Sequence, residues 1–398
     1  MRLVAPILVA LSAAPALGGP LAPVVGGENA PDGKWPDAAA ILFDDGGTDV
    51  QKCTGTLVAA NVVLTAAHCD DSTLGVLDNV LVGASSLAHP SEGEIIKVRD
   101  ALPFPDWEDT SDIAALVLDH PASETPRALA TGWAYFDIQN GASVELVGFG
   151  AIDINGTMFT PQLQQAETTI TDFDCESLDD GCKPDAQPDG ELEAGGNGID
   201  TCDGDSGGPL YLNDDFGTFL AGVTSRGLAQ SVQPCGDGGI YARPDKIADW
   251  IEQATGSKVA RGPAPSAPDL VASRGDAGET SIYPNDPRSM QHTFEITQQP
   301  AQGMAAVRAD GRVRVCVDAD ADASDAMSVR VTDSNVPSRS LDLTIKIDVY
   351  DGTPAASCNV NAFSGASSGC LDAGHGPRGV VPIAIAAWIV ARRRRRLR

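Results

Sequence analysis

Short runs in which hydrophobic and polar residues alternate mark both the first and the last third of the chain. The partly alternating run from Thr56 to Leu64 is typical of a strand, a turn and a second strand. Four further runs are separated by turn residues, as expected of a small β-sandwich. They are Thr293 to Ile296, Arg312 to Val317, Met327 to Val331 and Leu341 to Val349.

The composition changes between these two regions. The stretch "SKVARGPAPSAPDL" is rich in Pro, Ala and Ser, and it predicts a linker over residues 257–268. At 398 residues the chain is long enough for more than one domain. At the N-terminus, Arg2 is followed by an apolar stretch and small residues, which is the form of a secretory signal. Residues 1–19 are therefore predicted to be a signal peptide.

The C-terminal residues 353–398 have three parts. Cys370 is followed by a polar spacer, an apolar run from Val380 to Ala391, and a terminal cluster of arginines. Twelve apolar residues are short for a stable membrane span, and the arginines would keep the end on the cytoplasmic side. The arrangement resembles the C-terminal sorting signals of myxobacterial surface proteins, in which Cys370 would be the retained anchoring residue. The alternative is a basic amphipathic tail without processing.

One serine, Ser206, stands in a setting that suggests chemistry. In "IDTCDGDSGGPL" it lies between an aspartate and two glycines. A serine hydroxyl is a weak nucleophile, so it needs an adjacent base and a third group that orients the base. His68 ends an apolar run in "VLTAAHC", while the other four histidines have no comparable framing. Asp112 precedes the apolar run Ile113 to Leu118, so it is expected to be buried and to need a partner.

The stretches "TAAHC", "SDIAALVL" and "CDGDSGGPL", in this order, resemble the chymotrypsin-like (trypsin) family of serine proteases. The resemblance runs from "VVGG" at Val24 to "DKIADWIEQATG" at Asp245 to Gly256. It implies an all-β fold over residues 24–256, with two antiparallel β-barrels, an active site at their seam and a C-terminal helix. Residues 269–352, with "DGRVRV" and "VRVTD", resemble the cadherin-like or immunoglobulin-like repeats of bacterial surface proteins.

The family resemblance implies a role for each residue. Ser206 would attack the carbonyl carbon, and His68 would act as general base and then as general acid. Asp112 would hold the tautomer of His68 and stabilise its cation. The backbone N–H groups of Gly204 and Ser206 would form the oxyanion hole. The chain is thus expected to be a serine endopeptidase; the alternatives are a catalytically inactive homologue and an adhesion protein acting through its β-sandwich.

The residue six positions before the nucleophile, Asp200, corresponds in this family to the base of the primary specificity pocket. A buried carboxylate there is costly unless a cation pairs with it, so cleavage after Arg or Lys is expected. Gly227 and Gly239 match the wall positions that leave room for a long side chain, and Ser225 lies beside them. Arg226 stands where relatives carry an aromatic residue, which predicts a preference for acidic side chains nearby. The acidic, Gly-rich stretch Lys183 to Gly198 is expected to be a mobile loop.

Activation is also implied by the resemblance. "VVGG" resembles the mature N-terminus of the family, whose new α-amino group, at Val24, would pair with Asp205. Relatives are usually cut after Arg or Lys, whereas Pro23 precedes Val24 here. Residues 20–23 would then be a short propeptide. Another peptidase, and not the protein itself, is expected to remove it.

Nine cysteines imply an oxidising compartment. The family pairing suggests the disulfides Cys53–Cys69, Cys202–Cys235 and Cys175–Cys182. If Cys370 is the odd residue, then Cys316 and Cys358 remain as a pair. The protein is accordingly expected to be secreted and attached to a bacterial cell surface, with sorting machinery as a partner.

Charge limits the possible ligands. The formal net charge of −28 repels nucleic acid and favours cationic substrates, here proteins or peptides. No CxxC motif or His-rich cluster predicts a structural metal, and no cofactor is expected. In the β-sandwich region, Asp318, Asp320 and Asp322 could be oxygen ligands for Ca²⁺. The alternative is an exposed charged loop.

Overall fold

The structure is a computed structural model that describes residues 23–183, 185–186, 190–352 and 358–364. The predicted signal peptide, most of the predicted propeptide, Cys370, the apolar run and the arginine cluster lie outside the described residues. No helix within those ranges is long and apolar enough to span a bilayer.

The first barrel is formed by the strands β2 Ala38–Asp44, β3 Asp49–Ala59, β4 Val62–Thr65, β5 Val76–Val82, β6 Glu94–Pro103 and β7 Ala114–Leu118. They pair as a closed antiparallel sheet in the order β2-β3-β4-β7-β6-β5. The predicted pair of strands within Thr56 to Leu64 is confirmed as the end of β3 and the start of β4. The barrel encloses a fully buried apolar core that includes Ile41, Leu57, Val63, Ile96 and Leu116.

The second barrel follows in the chain. Its strands are β8 Ser143–Gly148, β9 Gln164–Asp172, β10 Glu191–Ala194, β11 Pro209–Asp214, β12 Gly217–Gly227 and β13 Gly239–Ala242. They pair in the order β9-β10-β13-β12-β11-β8, and the pairing of β8 with β9 closes the sheet. The short strand β1, Glu28–Asn29, adds to the edge of β9. Two antiparallel barrels are therefore present, as predicted, and each has six strands.

Helices are few among the described residues. The α-helix Ala248–Thr255 lies within the predicted segment, and Gly256 ends it in the left-handed conformation (φ 69°) that glycine tolerates. Pro23–Gly26 forms one turn whose dihedral angles are not helical at Val24 and Val25. The 3₁₀ helices are Ala67–Asp70, Ser72–Leu74, Pro90–Glu92, Gly132–Asp137 and Pro244–Ile247.

The predicted mobile loop from Lys183 to Gly198 is wrong in part. Its residues Glu191–Ala194 form β10, a fully buried strand that pairs with β9 and β13. Two acidic residues can lie on this buried strand because the charge of one is paired and the other has a raised pKa. Glu191 pairs with Arg226, and burial raises the pKa of Glu193 to about 7.

A buried polar network ties the two barrels together. Asp37, which precedes β2, is 1% exposed, and its carboxylate accepts hydrogen bonds from Arg127 (Nη2 to Oδ1, 2.5 Å; Nε to Oδ2, 3.0 Å). The hydroxyl of Tyr211, on β11, donates to the same carboxylate at 2.6 Å. The Tyr211 ring stacks on Trp35 at 4.5 Å. One carboxylate thus joins residues of both barrels and of the connection between them.

Replacing Asp37 by alanine is expected to destabilise the protein by about 3–5 kcal/mol, because it leaves the partly buried cation of Arg127 without its carboxylate partner. Urea unfolding of the variant would measure the change. A matched control is Asp249→Ala, which removes an exposed partner of Arg261 and should cost less than about 1 kcal/mol. Equal losses for the two variants would contradict the importance of the buried network.

The C-terminal part is a β-sandwich. The strands are β14 Leu270–Ser273, β15 Ala277–Ser281, β16 His292–Gln298, β17 Gly303–Val307, β18 Arg312–Val317, β19 Ser324–Asp333 and β20 Ser340–Tyr350. One sheet has the order β14-β20-β19-β16 and the other β15-β18-β17, and they enclose a common apolar core. All four predicted alternating runs fall on strands, and β14, β15 and β17 were not predicted.

The sandwich contacts the second barrel and holds the end of the described chain. The indole of Trp133 packs in the sandwich core and donates to the carbonyl oxygen of Pro284 at 2.7 Å. At the other side, Cys358 is bonded to Cys316 on β18. Ser364 donates through both its N–H and its hydroxyl to the Glu279 carboxylate at 2.6 Å. The segment 358–364 is therefore fixed to the three-stranded sheet.

Candidate active site

His68 and Asp112 meet where the first barrel faces the second. His68 lies in the 3₁₀ turn after β4, next to Cys69, whose disulfide to Cys53 ties that turn to β3. Asp112 lies just before β7. The imidazole Nδ1 is 2.8 Å from Asp112 Oδ2, and the backbone N–H of His68 donates to Oδ1 at 3.0 Å. This double contact fixes the orientation of the ring.

The carboxylate of Asp112 is held ionised by its partners. It is 3% exposed, and burial alone would raise its pKa. The hydrogen bonds and the charge of His68, together with a 2.7 Å hydrogen bond from the hydroxyl of Ser225, instead keep the pKa of Asp112 below its usual value. An ionised carboxylate accepts a hydrogen bond from Nδ1–H, so Nε2 carries the lone pair that a general base needs.

Ser206 lies on the tight turn before β11. Its backbone oxygen accepts from the N–H of Thr54 on β3 at 2.8 Å, which joins the turn to the first barrel. Its side chain lines a cleft of about 150 Å³ together with residues of β12, including Ser225 and Gly227. Within the described residues the Ser206 hydroxyl makes no hydrogen bond, so its bond to His68 would form as substrate binds.

Two backbone donors are available beside this serine. Neither the N–H of Gly204 nor that of Ser206 has an acceptor among the described residues. Gly204 adopts φ +94°, which glycine tolerates, and its carbonyl oxygen accepts from Gln51 Nε2 and Thr54 Oγ1, each at 2.9 Å. These two bonds hold the peptide of Gly204 in place. Unpaired N–H groups at such a turn can stabilise a developing oxyanion.

Asp200 is a buried carboxylate with one unused oxygen. It is 3% exposed, and Oδ2 accepts from the N–H groups of Gly236 (2.8 Å) and Gly238 (3.2 Å). Oδ1 has no partner among the described residues. Burial raises the pKa of Asp200 to about 6, against the lowering effect of the backbone hydrogen bonds. A buried carboxylate oxygen without a partner is unfavourable, and a hydrogen-bond donor or a cation that binds it would be stabilising.

The two glycines predicted as pocket walls lie beside this carboxylate. Gly227 on β12 is the direct partner of Gly239 on β13. A Cβ atom on Gly239 would lie 3.4 Å from Asp200 Oδ1, whereas a Cβ atom on Gly227 would meet nothing within 4 Å. A side chain at either position would therefore narrow the space that leads to Asp200.

Arg226 occupies a different environment from the one expected. Its guanidinium makes a bidentate pair with Glu191 (2.7 and 2.8 Å) and donates to the carbonyl oxygen of Gly181. It also lies 3.1 Å from Ser225 Oγ, which in turn contacts Asp112. Because its charge is already compensated by a buried carboxylate, the expected preference for acidic side chains loses its basis.

Asp205 and Val24 are both buried, and they form no ion pair in the uncut chain. Val24 is 1% exposed, in the core of the second barrel, although its φ of 37° is unfavourable for valine. Asp205 is fully buried and accepts from the N–H groups of Gly150 (2.7 Å) and Cys202 (2.9 Å). Burial raises the pKa of Asp205 to about 7, and no cation among the described residues pairs with it. The ion pair stays a prediction, since Val24 has no free amine while Pro23 precedes it.

The structure joins the cysteines in the pairs that the resemblance suggested, Cys53–Cys69, Cys175–Cys182 and Cys202–Cys235, and also joins Cys316 to Cys358. One group of potential metal ligands lies in the described part of the chain, Cys175, Cys182 and Glu193, but both sulfurs are engaged in a disulfide. The three aspartates proposed as Ca²⁺ ligands lie on an exposed loop and do not converge there.

Two contributors to the site were missed by sequence reasoning. Gln51 holds the carbonyl oxygen of Gly204 from across the barrel seam, over 153 positions of sequence. Glu191 neutralises Arg226 from the stretch that was predicted to be a loop. The alternation over "ELEA" is too short to identify a strand. The only available signal for a buried acidic partner was Arg226, an arginine at a position where relatives carry an aromatic residue.

Comparisons with known proteins agree with this geometry. The model of the trypsin family, described as "Trypsin", matches residues 24–251. Trypsin from Saccharopolyspora erythraea is 32% identical over 242 residues, covering 57% of this chain and 96% of that protein. Brachyurin from Leptuca pugilator is 30% identical, covering 58% and 99%. Serine protease Hayan from Drosophila melanogaster is 29% identical, covering 58% of this chain and 38% of its own. The chain belongs to the trypsin family of serine endopeptidases.

Proposed function

We propose that the protein is an exported endopeptidase that cleaves polypeptides after Arg or Lys through an acyl-enzyme. The observation that carries the specificity is the Oδ1 of Asp200, a buried carboxylate oxygen for which the described part of the chain offers no donor. A guanidinium or ammonium group that reaches Asp200 past Gly227 and Gly239 would supply the missing partner. An uncharged side chain would leave the carboxylate desolvated and unpaired.

The reaction follows from the positions of three side chains. Ser206 Oγ attacks the carbonyl carbon while His68 Nε2 takes its proton. The negative charge that forms on the carbonyl oxygen is stabilised by the N–H groups of Gly204 and Ser206. His68 then gives the proton to the departing amine as the carbon–nitrogen bond breaks. Water, deprotonated by the same imidazole, attacks the acyl-enzyme and frees Ser206.

Asp112 supports both proton transfers without being protonated itself. Its Oδ2 faces Nδ1 of His68, so the positive charge that forms on the imidazole is 2.8 Å from a buried carboxylate. Ser225 holds the same oxygen from the second barrel. The geometry of the triad therefore depends on the relative position of the two barrels at their seam.

Export and attachment to a cell surface are part of the proposal. The four disulfides support an oxidising compartment. The signal-like N-terminus and the tail after Cys370 support export and anchoring, with the sorting machinery and an activating peptidase as partners. Mass spectrometry of the protein recovered from its native cells would test both ends. Recovery of the full chain, from Met1 to Arg398, would contradict this part of the proposal.

Asp200→Ser is expected to lower the ratio of kcat/KM for an Arg substrate over its Phe analogue by roughly 10²–10³-fold, since the buried charge pair with substrate is lost. Both constants would be measured with matched peptide amides. Asp203→Ser, which removes an exposed carboxylate at the rim of the cleft, should change the ratio far less. An unchanged ratio in Asp200→Ser would show that Asp200 does not form the pocket base.

A further inference from the structure

A series of polar contacts continues beyond the triad, on the side of Asp112 that faces the second barrel. Asp112 Oδ2 accepts a hydrogen bond from the hydroxyl of Ser225 at 2.7 Å. Ser225 Oγ in turn lies 3.1 Å from Nη1 of Arg226, the next residue on β12. Arg226 makes a bidentate pair with Glu191 on β10. These side chains connect β10 in series to the residue that precedes β7.

The direction of each hydrogen bond in this series is fixed. A guanidinium group has only donors, so Nη1 of Arg226 donates to Ser225 Oγ. A hydroxyl group has one hydrogen, and Ser225 gives it to Asp112, because an ionised carboxylate only accepts. Arg226 therefore occupies a lone pair of Ser225 and leaves its hydrogen for Asp112. Hydrogen bonds in series polarise one another, so the cation strengthens the bond that Ser225 donates.

Several contacts hold Arg226 in this orientation. Nη1 and Nη2 donate to the two oxygens of Glu191 at 2.7 and 2.8 Å, and Nη2 also donates to the carbonyl oxygen of Gly181 at 2.7 Å. Glu191 is 2% exposed, and its carboxylate also accepts from the N–H of Lys183 at 2.8 Å. The planar guanidinium group is thus fixed along one edge, with a donor directed at Ser225.

We infer that Arg226 is a positioning residue of the triad. Held by Glu191, it acts on Asp112 through the hydroxyl of Ser225. A carboxylate that is fixed from this side keeps Nδ1 of His68, at 2.8 Å, in the orientation that proton transfer requires. The inference rests on the reaction proposed above and does not depend on the preference for Arg or Lys.

The test measures the reactivity of the nucleophile in protein trimmed to begin at Val24. Ser206 Oγ displaces fluoride from the phosphorus of a fluorophosphonate, while His68 takes the proton. A small alkyl fluorophosphonate, used in excess, carries no peptide residue, so the reaction does not need the specificity pocket. The first-order rate constant of labelling reports the reactivity of the triad, and the final extent reports the fraction of folded protein. A purely structural role would change the extent and not the rate constant.

The informative variant combines Arg226→Gln with Glu191→Gln. It replaces the ion pair by two amides, so no buried charge is left unpaired, and the amide at position 191 still offers an acceptor to Lys183. We expect the rate constant to fall about tenfold, as for the loss of one hydrogen bond to a charged group. In a Ser225→Ala background the same two changes should alter it by less than about twofold, because the hydroxyl that links Arg226 to the triad is absent.

Two further variants complete the design. Arg226→Lys keeps a cation beside Glu191 but lacks the planar fork, so it should also slow labelling only when Ser225 is present. It provides the same comparison if the two-amide variant does not fold. Arg330→Gln with Asp342→Asn is the matched control, because it removes a bidentate pair between β19 and β20 of the sandwich. This control should be labelled at the rate of the parent protein.

The possible results separate this inference from the proposed function. A rate constant that falls equally with and without the Ser225 hydroxyl, or that falls in neither background, overturns the positioning role of Arg226. A decrease in the extent of labelling alone overturns it as well. If the trimmed parent protein is not labelled at all, the proposed reaction is overturned and the inference with it.

Discussion

Ser206→Ala is expected to abolish peptide hydrolysis, lowering kcat by a factor on the order of 10⁶. The loss follows from removal of the nucleophile, because the bond between His68 and Asp112 stays in place. The fold should be unaffected, since the Ser206 hydroxyl makes no hydrogen bond within the described residues and its backbone bond to Thr54 is retained. Peptide cleavage and thermal unfolding of trimmed protein would measure the two effects.

A fluorophosphonate provides a second measurement that does not depend on the choice of peptide. It should label the parent protein at Ser206 and leave Ser206→Ala unlabelled. Ser231→Ala, a change in a surface loop of the second barrel, should be labelled like the parent. Residual hydrolysis of even a few per cent in Ser206→Ala, with contamination excluded, would contradict the acyl-enzyme mechanism.

The second large effect concerns the N-terminus. Protein that begins upstream of Pro23 should be almost inactive, and removal of the residues before Val24 should restore activity. Val24 already lies in the core of the second barrel, with a φ of 37° that is unfavourable for valine. The carbonyl oxygen of Val25 also accepts from the N–H of Asp200 at 3.0 Å, so this segment contacts the residue that we propose as the base of the pocket.

Cutting would supply the cation that Asp205 lacks. An unpaired buried charge costs roughly 3–5 kcal/mol relative to a paired one, enough to make the ordered site a minor population. Trypsin should not activate the precursor, because no Lys or Arg immediately precedes Val24. Asp205→Asn should be inactive even after correct trimming. Full activity in protein shown by mass spectrometry to retain Pro23 would contradict this scheme.

The pH dependence of the free energy of unfolding should provide a second test of the pair between the Val24 amine and Asp205. Burial raises the pKa of Asp205 to about 7 in the uncut chain, above the value of about 3.9 for an unfolded aspartate. The contribution of the Asp205 carboxyl group to the free energy of unfolding is therefore fully present below about pH 4. It is lost as the pH rises towards 7, by roughly 4 kcal/mol in total. In the trimmed form, Asp205 gains an amine partner. We therefore expect the trimmed form to exceed the uncut form in free energy of unfolding, measured with urea, by an amount that increases as the pH rises through this interval.

Sequence reasoning predicted the features that depend on local pattern or on well-marked motifs. The runs at Thr56 to Leu64 and Arg312 to Val317 became strands because alternation matches the two faces of a sheet. His68 and Asp112 were predicted and lie within hydrogen-bond distance. The strand Glu191–Ala194 was missed, since two carboxylates on a buried strand look like a solvated loop until the partner of each is known.

The structure also forms an apolar groove on the first barrel, lined by Val50, Ile95 and Phe159 among others. The sequence did not predict this groove, and the reason is related. Val50, Ile95 and Phe159 belong to different strands and loops, and none of them is unusual in its own stretch of sequence. Their common surface exists only because closure of the barrel brings β3 and β6 near the loop after β8. Properties that arise from such long-range juxtaposition need the fold before they can be seen.

The disulfide between Cys316 and Cys358 determines how a mechanical load on the C-terminus would enter the molecule. Without it, tension would reach the β-sandwich at Tyr350 and peel β20 away from β19 one residue at a time. With it, the load passes through a covalent bond into β18, the central strand of the other sheet, and the nine-pair ladder of β19 and β20 is bypassed. A break in the backbone between Asp351 and Cys358 would likewise leave everything beyond it attached to the protein.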